Sequence, residues 1–375
     1  MNALRLAHHD LRGPRTPAWA RQLEGVDFLL LDAGPLSGGD APAEQLPRTL
    51  RTLGPQLYMD AQLRLVASLA GGDPSIAGPH AAQTLVDTGN PDLPLAVVRG
   101  QDVLDRLEEL LLHTDLAHAE TGQRFVELSA KTVGAIASLG PRAVSQAVKQ
   151  GARAVLTAHE TPAVLCEAVA RAATGKRDLP TARKLGQTLA DCSPQAVSDT
   201  LRRPEWSPEQ SLQAELTADL DVEFFGGAEL TDSARRRFAE TSSAVDPDQS
   251  NLTLTYLDGY QARLVLWASE AAARGRLEEV LTNAPPELRP CICPPSAAAD
   301  GALVEVTLHH ANRAKVENAA AELAGVLEVA SGVLGLRRIG GPPLVEPRYR
   351  QWPTVLPVEL LEWSIDIKPA QQWVD

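Results

Sequence analysis

Only four cysteines occur in 375 residues. So few in a chain this long do not form a disulfide framework, which excludes the small stapled scaffolds of secreted proteins. No basic run is longer than Arg235-Arg236-Arg237, and the net charge is -13. A protein that neutralises phosphates along a nucleic acid needs a basic face, so nucleic acid is not an expected partner. No apolar stretch reaches the roughly 18–20 residues that a bilayer span requires. The opening Met1–Asp10 lacks the charged-then-apolar order of a secretory signal. The expectation is a cytoplasmic protein with no membrane association.

Several chemical signatures are missing too. No GxGxxG follows a strand, so the standard dinucleotide fingerprint is absent, and Gly175-Lys176 lacks the flanking Gly and Ser/Thr of a P-loop. There is no GxSxG nucleophile elbow. His159-Glu160 is not followed by the second His of a HExxH zinc site. Cys291-Ile292-Cys293 lies among prolines with no second Cys or His pair nearby, and reads as two inert thiols. Cys166 and Cys192 lack the basic neighbours of a reactive thiol. The sequence assigns no metal and identifies no cofactor.

What is present is a globular composition, 44% hydrophobic and 22% charged, at a length that predicts two or three domains. In the first half, short apolar runs alternate with helical patterns. Val26–Asp32 (VDFLLLD) and Leu93–Val98 (LPLAVV) read as buried strands and Ala152–Thr157 as a strand; Leu4–His8 is a short apolar run, and Leu63–Leu69 reads as a third strand with a helix as the alternative. Helical patterns run over Thr16–Glu24, Ala43–Leu53, His80–Thr88, Gln101–His113, Arg142–Gln150 and Pro162–Ala173. This βαβ rhythm predicts an α/β fold, a mostly parallel, Rossmann-like sheet with flanking helices. Thr174–Pro208, richer in Pro, Ser, Thr and charge, reads as a connecting region with some helix. Beyond it, Leu252–Tyr256 and Tyr260–Trp267 flank Leu257-Asp258-Gly259, a hairpin signal. Glu270–Asn283 and Arg313–Ser331 read as helices and Ala302–His309 as a strand. The prediction is a parallel-sheet domain over 1–215 and a smaller α+β domain over 216–375. Trp352, Trp363 and Trp373 in the closing segment are expected to pack back on the body. The apolar helices at 101–113 and 313–331 need burial, in a core or in the interface of a homo-oligomer.

One stretch carries a resemblance. Leu128–Ala168 reads LSAKTVGAIASLGPRAVSQAVKQGARAVLTAHETPAVLCEA. It resembles the acyclic-terpene-utilisation (AtuA-like) family in its order: a helix, a Leu-Gly pair, a second helix, a Gly-Ala strand, and a polar turn into a third helix. VDFLLLDAGPLS resembles that family's first long apolar strand, Leu69–Pro74 its Asn-Ala-Gly-Gly…Pro loop, and Val97–Leu104 its Val-Gly-Asp-Asp-Val-Leu turn. Leu257–Val265 resembles the hairpin entering its second domain. The departures are specific: Leu69 stands for the family's Asn, Gln101 for its first Asp, and Ala158-His159 for its Gly-Arg. The Asp that follows in the family is lost in Glu160-Thr161-Pro162.

In an open parallel sheet, ligands bind beyond the carboxyl ends of the strands. Those ends carry His8, His9 and Asp10, then Asp32, then Gly71-Gly72-Asp73, then Arg99–Asp102, then His159 and Glu160. Imidazoles and carboxylates move protons near neutral pH, so His8, Asp32 and His159 are the catalytic candidates. Gly71, Gly72, Asp102 and Glu160 are the ligand-binding candidates, the glycines as an anion cradle of backbone N–H groups. Each has a plainer explanation. Asp32, Asp73 and Asp102 precede helices and suit N-caps, Gly71-Gly72 suits a tight turn, and Glu160 suits the start of a helix. From the resemblance comes the functional expectation: a protein that binds or acts on a branched acyl-CoA or related carboxylate. The alternative is a non-catalytic, divergent paralogue that binds a protein partner. A third reading, metal-assisted hydrolysis, requires His8, His9, Asp32 and His159 to converge.

Overall fold

The structure is a computed structural model. It describes residues 3–10, 20–32, 42–69, 73–125, 128, 131–176, 179–192, 212–217, 219–225, 228–241, 249–268, 291–292, 296–298, 301–334, 336–339, 341 and 343–374. The chain divides into two units. The first comprises Met1–Ala119, Ala135–Leu252 and Thr354–Asp375, and the second Glu120–Gly134 and Thr253–Pro353.

The apolar runs of the first unit form a mostly parallel sheet. Strands β1 (Ala3–Asp10), β2 (Phe28–Asp32), β3 (Arg64–Leu69), β4 (Pro94–Arg99) and β6 (Ala154–Ala158) run parallel. Antiparallel strands flank them: β15 (Ser364–Pro369) against β4, and β7 (Gln213–Thr217) with β8 (Val222–Phe225) beyond β1. The order across the sheet is β15-β4-β6-β3-β2-β1-β7-β8. The α/β class and mostly parallel sheet expected from the sequence are what this unit shows.

Register assigns the two faces. Leu31, Ala67 and Leu156 share a row and join the core made with α1 (Pro42–Met59) and α2 (Pro74–Asp87), through Leu46, Leu50, Ala81 and Leu85. Side chains alternate along a strand. The neighbouring rows, with His8 beside Leu30 and Asp32 beside Ser68 and Thr157, therefore face the opposite side. On that side α5 (Pro162–Thr174) packs on β1 and β2, and α6 (Pro180–Asp191) on β1 and β7, with α7 (Ala228–Glu240) against α6 and β8. The chain steps in one direction from β1 through β2 and β3 to β4, leaving a slot, then turns back to place β6 in it. With right-handed crossovers, that reversal sends the helix between β3 and β4 and the helix that precedes β6 to opposite faces. In such sheets the ligand edge is expected at the carboxyl ends of the strands that flank the reversal, here those of β3 and β6.

Helices α5 and α6 pack very closely at Gly186. A Cβ there would meet the carbonyl oxygen of Pro162 and lie 2.6 Å from the Cβ of Cys166. Gly186→Ala should destabilise the protein by about 1–3 kcal/mol through overpacking, read as a lowered thermal midpoint. An unchanged midpoint would show that the helices separate freely.

The second unit holds strands of a seven-stranded sheet that includes β5 (Thr132–Ala137) and β9 (Gln249–Ala268), both of which also contribute residues to the first unit. Antiparallel to β9 run β12 (Gly301–His310) and β13 (Leu336–Ile339). β14 (Val345–Pro357) also pairs with β9, and β10 (Cys291–Ile292) and β11 (Ser296–Ala298) pair with β12. Ala262, Leu264 and Leu266 of β9 pack with Val306 and Leu308 of β12 and with Val316, Ala320 and Ala324 of α8 (Arg313–Leu334). No helix among the described residues is long and apolar enough to cross a membrane.

Four local expectations are corrected. Thr132–Ala137, placed in a helix by the resemblance, is β5. Thr132, Val133 and Ile136 are β-branched and favour a strand. Asp258-Gly259 is no hairpin turn but lies within the continuous β9. Asp258 is held there by Arg350 at 2.9 Å and Arg348 at 3.4 Å, and Gly259 lies so close to the carbonyl of His310 that a Cβ would sit 2.7 Å from it. The helix expected from Gln101 begins later, as a 3-10 turn at Leu104–Arg106 followed by α3 (Leu107–His113). Asp102 accepts from the N–H of Leu104 at 3.0 Å and so stands outside the helix. The helix expected from His80 begins at Pro74, where Asp73 accepts from the N–H of Ser75 at 2.8 Å as its N-cap. The tryptophans expected to pack back include Trp373, which lies against the first unit's core and donates to the carbonyl of Leu95 at 3.2 Å. Gly71-Gly72, Thr16–Trp19, the Glu270–Asn283 helix and Cys293 lie outside the described residues.

Candidate functional site

The expected ligand edge is built from the ends of three strands. After β6 the chain turns at His159, whose φ of 58° is left-handed and costly for a residue with a Cβ. The turn is tied to β3: the His159 N–H donates to the carbonyl of Leu69 at 3.3 Å and the Glu160 N–H to Ser68 Oγ at 2.9 Å. Glu160 is thereby folded inward and is 2% exposed. Its Oε2 accepts from Ser138 Oγ at 2.5 Å and its Oε1 from the Leu139 N–H at 2.6 Å. Ser138 is fixed in turn: its N–H donates to the carbonyl of Asn251 at 2.8 Å, and its own carbonyl accepts from Ser250 Oγ. Gly140 caps the start of α4 (Pro141–Lys149), so the carboxyl group lies at that helix's positive end.

Two influences oppose each other at Glu160. Burial penalises the charged form, while the Ser138, Leu139 and Gly140 donors favour it; burial prevails and raises the pKa to about 7. The group is therefore divided between acid and base near neutral pH. His159 is pushed below its ordinary value by burial, with Asp102 opposing. Gln101 is buried and committed to the scaffold: its Nε2 donates to the carbonyl of Val98 at 3.2 Å and to Thr157 Oγ1 at 3.0 Å.

The structure brings His159 within electrostatic reach of Asp102, with Glu160 the next residue along the chain and its carboxyl turned to Ser138 and Leu139. Asp32 stands at the same sheet edge, two strands from β6 and in the row of Ser68 and Thr157. His8 is buried in β1, three strands from β6 and three register rows short of Ala158. That is about 14 Å across and about 10 Å along, so His8 and His159 do not meet. His9 is in the adjacent row and faces the other side. Among the described residues no three His, Cys, Asp or Glu side chains are placed to hold a metal ion. The convergence that metal-assisted hydrolysis requires is absent from this arrangement.

Sequence reasoning missed Ser138, because its segment was read as helical. The available signal was a small polar residue just beyond an apolar, β-branched run. It also missed the wall beside it. A cavity of about 1110 Å³ begins at Ser138, Leu139, Gly140 and Thr161 and extends along one side of α4, α5 and α6. Cys166 and Cys192 are buried, and burial pushes both thiols up, which makes them poor nucleophiles.

A family model described as acyclic terpene utilisation family protein AtuA matches residues 43–175. That range contains β3, β4, β5, β6 and α5, and with them Glu160, Ser138 and His159. No curated protein matches the chain. A solved homoserine dehydrogenase from S. aureus is similar over 88% of this chain and 82% of its own, at 7% identity and a TM-score of 0.14, too low for any argument about shared fold.

Proposed function

The chain is AtuA-like through residues 43–175, and from that premise we propose that it binds a branched acyl-CoA or related carboxylate at the carboxyl edge of its parallel sheet and moves a proton there through Glu160. The observation that carries the reading is the buried Glu160 carboxyl, pinned by Ser138 and Leu139 and poised at about 7. A group near neutrality donates and accepts protons at working pH, the condition for general acid–base chemistry. His159, beside Asp102, is the second proton carrier in this reading. Asp32 completes the edge; Gly71-Gly72, expected from the sequence as an anion cradle, lie outside the described residues. His8 lies three strands and three register rows from the end of β6 and takes no part in the proton transfer in this reading.

A thermal-shift panel of straight and branched acyl-CoAs, coenzyme A and free branched carboxylates tests the reading. A true ligand at 100 times its Kd should stabilise the native state by about 2.7 kcal/mol. Solvent deuterium should then enter the bound ligand with the wild type and not with Glu160→Gln. Absence of any acyl-dependent shift would sink the proposal. The second reading, a non-catalytic paralogue that binds a protein partner, is favoured by Leu69 and Gln101. Where the family resemblance has Asn and Asp, this chain has a fully buried leucine and an amide occupied by Val98 and Thr157. Acyl binding with no deuterium exchange would move the conclusion toward it.

A further inference from the structure

We propose that the cavity along α4, α5 and α6 is a binding site for a diphosphate group. Six cationic side chains line it, Arg142, Lys149, Arg171, Lys176, Arg183 and Lys184, and no carboxylate does so among the described residues. This is a marked concentration of positive charge in a chain whose net charge is -13. Arg142 and Lys149 lie on one side of α4, seven residues and about 10 Å apart. Arg171 near the end of α5, with Lys176 just beyond it, and Arg183 with Lys184 on α6 supply the remaining charges.

The wall is preorganised. Arg171 and Arg183 both pair with Glu167, which is fully buried between them, so their guanidinium groups are held in place before any ligand arrives. The start of α4 at Gly140, Pro141 and Arg142 opens into the same space and adds the favourable end of its dipole. A singly charged carboxylate would satisfy little of this field. A diphosphate carries several charges and many acceptor oxygens, and suits guanidinium forks and ammonium groups together. Trp363, also on the lining, offers an aromatic plane on which a base stacks. The shared chemistry is therefore a diphosphate, supplied by a nucleotide or coenzyme or by inorganic pyrophosphate. The inference extends the proposed function at an adjoining surface, but it depends neither on Glu160 nor on an acyl chain.

Calorimetric titration of the full chain with pyrophosphate, ADP, coenzyme A and adenosine tests it. Pyrophosphate and ADP should bind and adenosine should not, with affinity falling steeply as salt rises. Arg142→Ala and Lys149→Ala, singly and together, should weaken pyrophosphate at least threefold and tenfold respectively, with circular dichroism confirming the fold. Trp363→Ala should weaken ADP to the level of pyrophosphate and leave pyrophosphate unchanged if the source is a nucleotide. ADP no tighter than pyrophosphate in the wild type would assign the inorganic ion. No binding of pyrophosphate, ADP or coenzyme A at millimolar concentration, or binding indifferent to both α4 substitutions, would overturn the site. Stabilisation by free branched carboxylates alone would also overturn it while sustaining the acyl reading. Diphosphate binding with no acyl preference would do the reverse.

Discussion

Glu167→Ala is expected to lower the thermal midpoint by roughly 4–10 °C, from a loss of about 3–5 kcal/mol at about 1.3–2 °C for each in a chain of this length. Glu167 is fully buried on α5. Its Oε1 accepts from Arg171 Nη2 at 2.9 Å, one turn along the same helix, and its Oε2 accepts from Arg183 Nε on α6. Arg171 and Arg183 are themselves largely shielded, with 14% and 10% of their side chains exposed. Deleting the carboxylate leaves two guanidiniums facing each other across the helix contact without the anion between them. The damage comes from two largely shielded guanidiniums losing this buried anion rather than from a large favourable term for the intact triad. Replacing all three residues with apolar ones of similar size should therefore cost far less than Glu167→Ala. A midpoint unmoved by Glu167→Ala would show that the guanidiniums are already satisfied elsewhere.

The same triad shows what is readable from sequence and what is not. Parallel strands such as Phe28–Asp32 and Pro94–Arg99 were legible because burial on both faces imposes an unbroken apolar run. His159 and Glu160 were legible as site residues by position, since they follow the end of such a run. Ser138 was not: its place depends on hydrogen bonds to Ser250 and Asn251, more than a hundred residues away. Asp258-Gly259 misled for a related reason. It is a turn signal locally, but Arg348 and Arg350 hold Asp258 from far along the chain and the strand runs straight through. The cations of the cavity are drawn from three helices and the segment after one of them, and each resembles an ordinary surface residue until the helices pack. Long-range pairing overrides local preference at each of these points.

Glu160→Gln should change how stability depends on pH more than it changes stability at any one pH. The ordinary carboxyl value is 4.5, and in the native protein Glu160 stands at about 7. Between those values the unfolded chain has released a proton that the native state retains. Stability from this group is therefore intact below about 4.5, declines as pH rises, and is lost above about 7. The decline amounts to about 3 kcal/mol. Glutamine does not titrate, so the variant lacks it. It also loses an acceptor, because its NH₂ group would face either Ser138 Oγ or the Leu139 N–H, and the latter pairing costs about 1–3 kcal/mol at a buried donor. The wild type should thus be the more stable protein at pH 5, and its advantage should shrink or reverse by pH 8. Unfolding of both proteins at pH 5, 6, 7 and 8 isolates the effect, since every other titrating group is common to both. A difference that stays constant with pH would place Glu160 at an ordinary carboxyl value. It would then be a fixed anion bracing the start of α4, with no proton to exchange near neutrality, and the acid–base role at this edge would pass to His159.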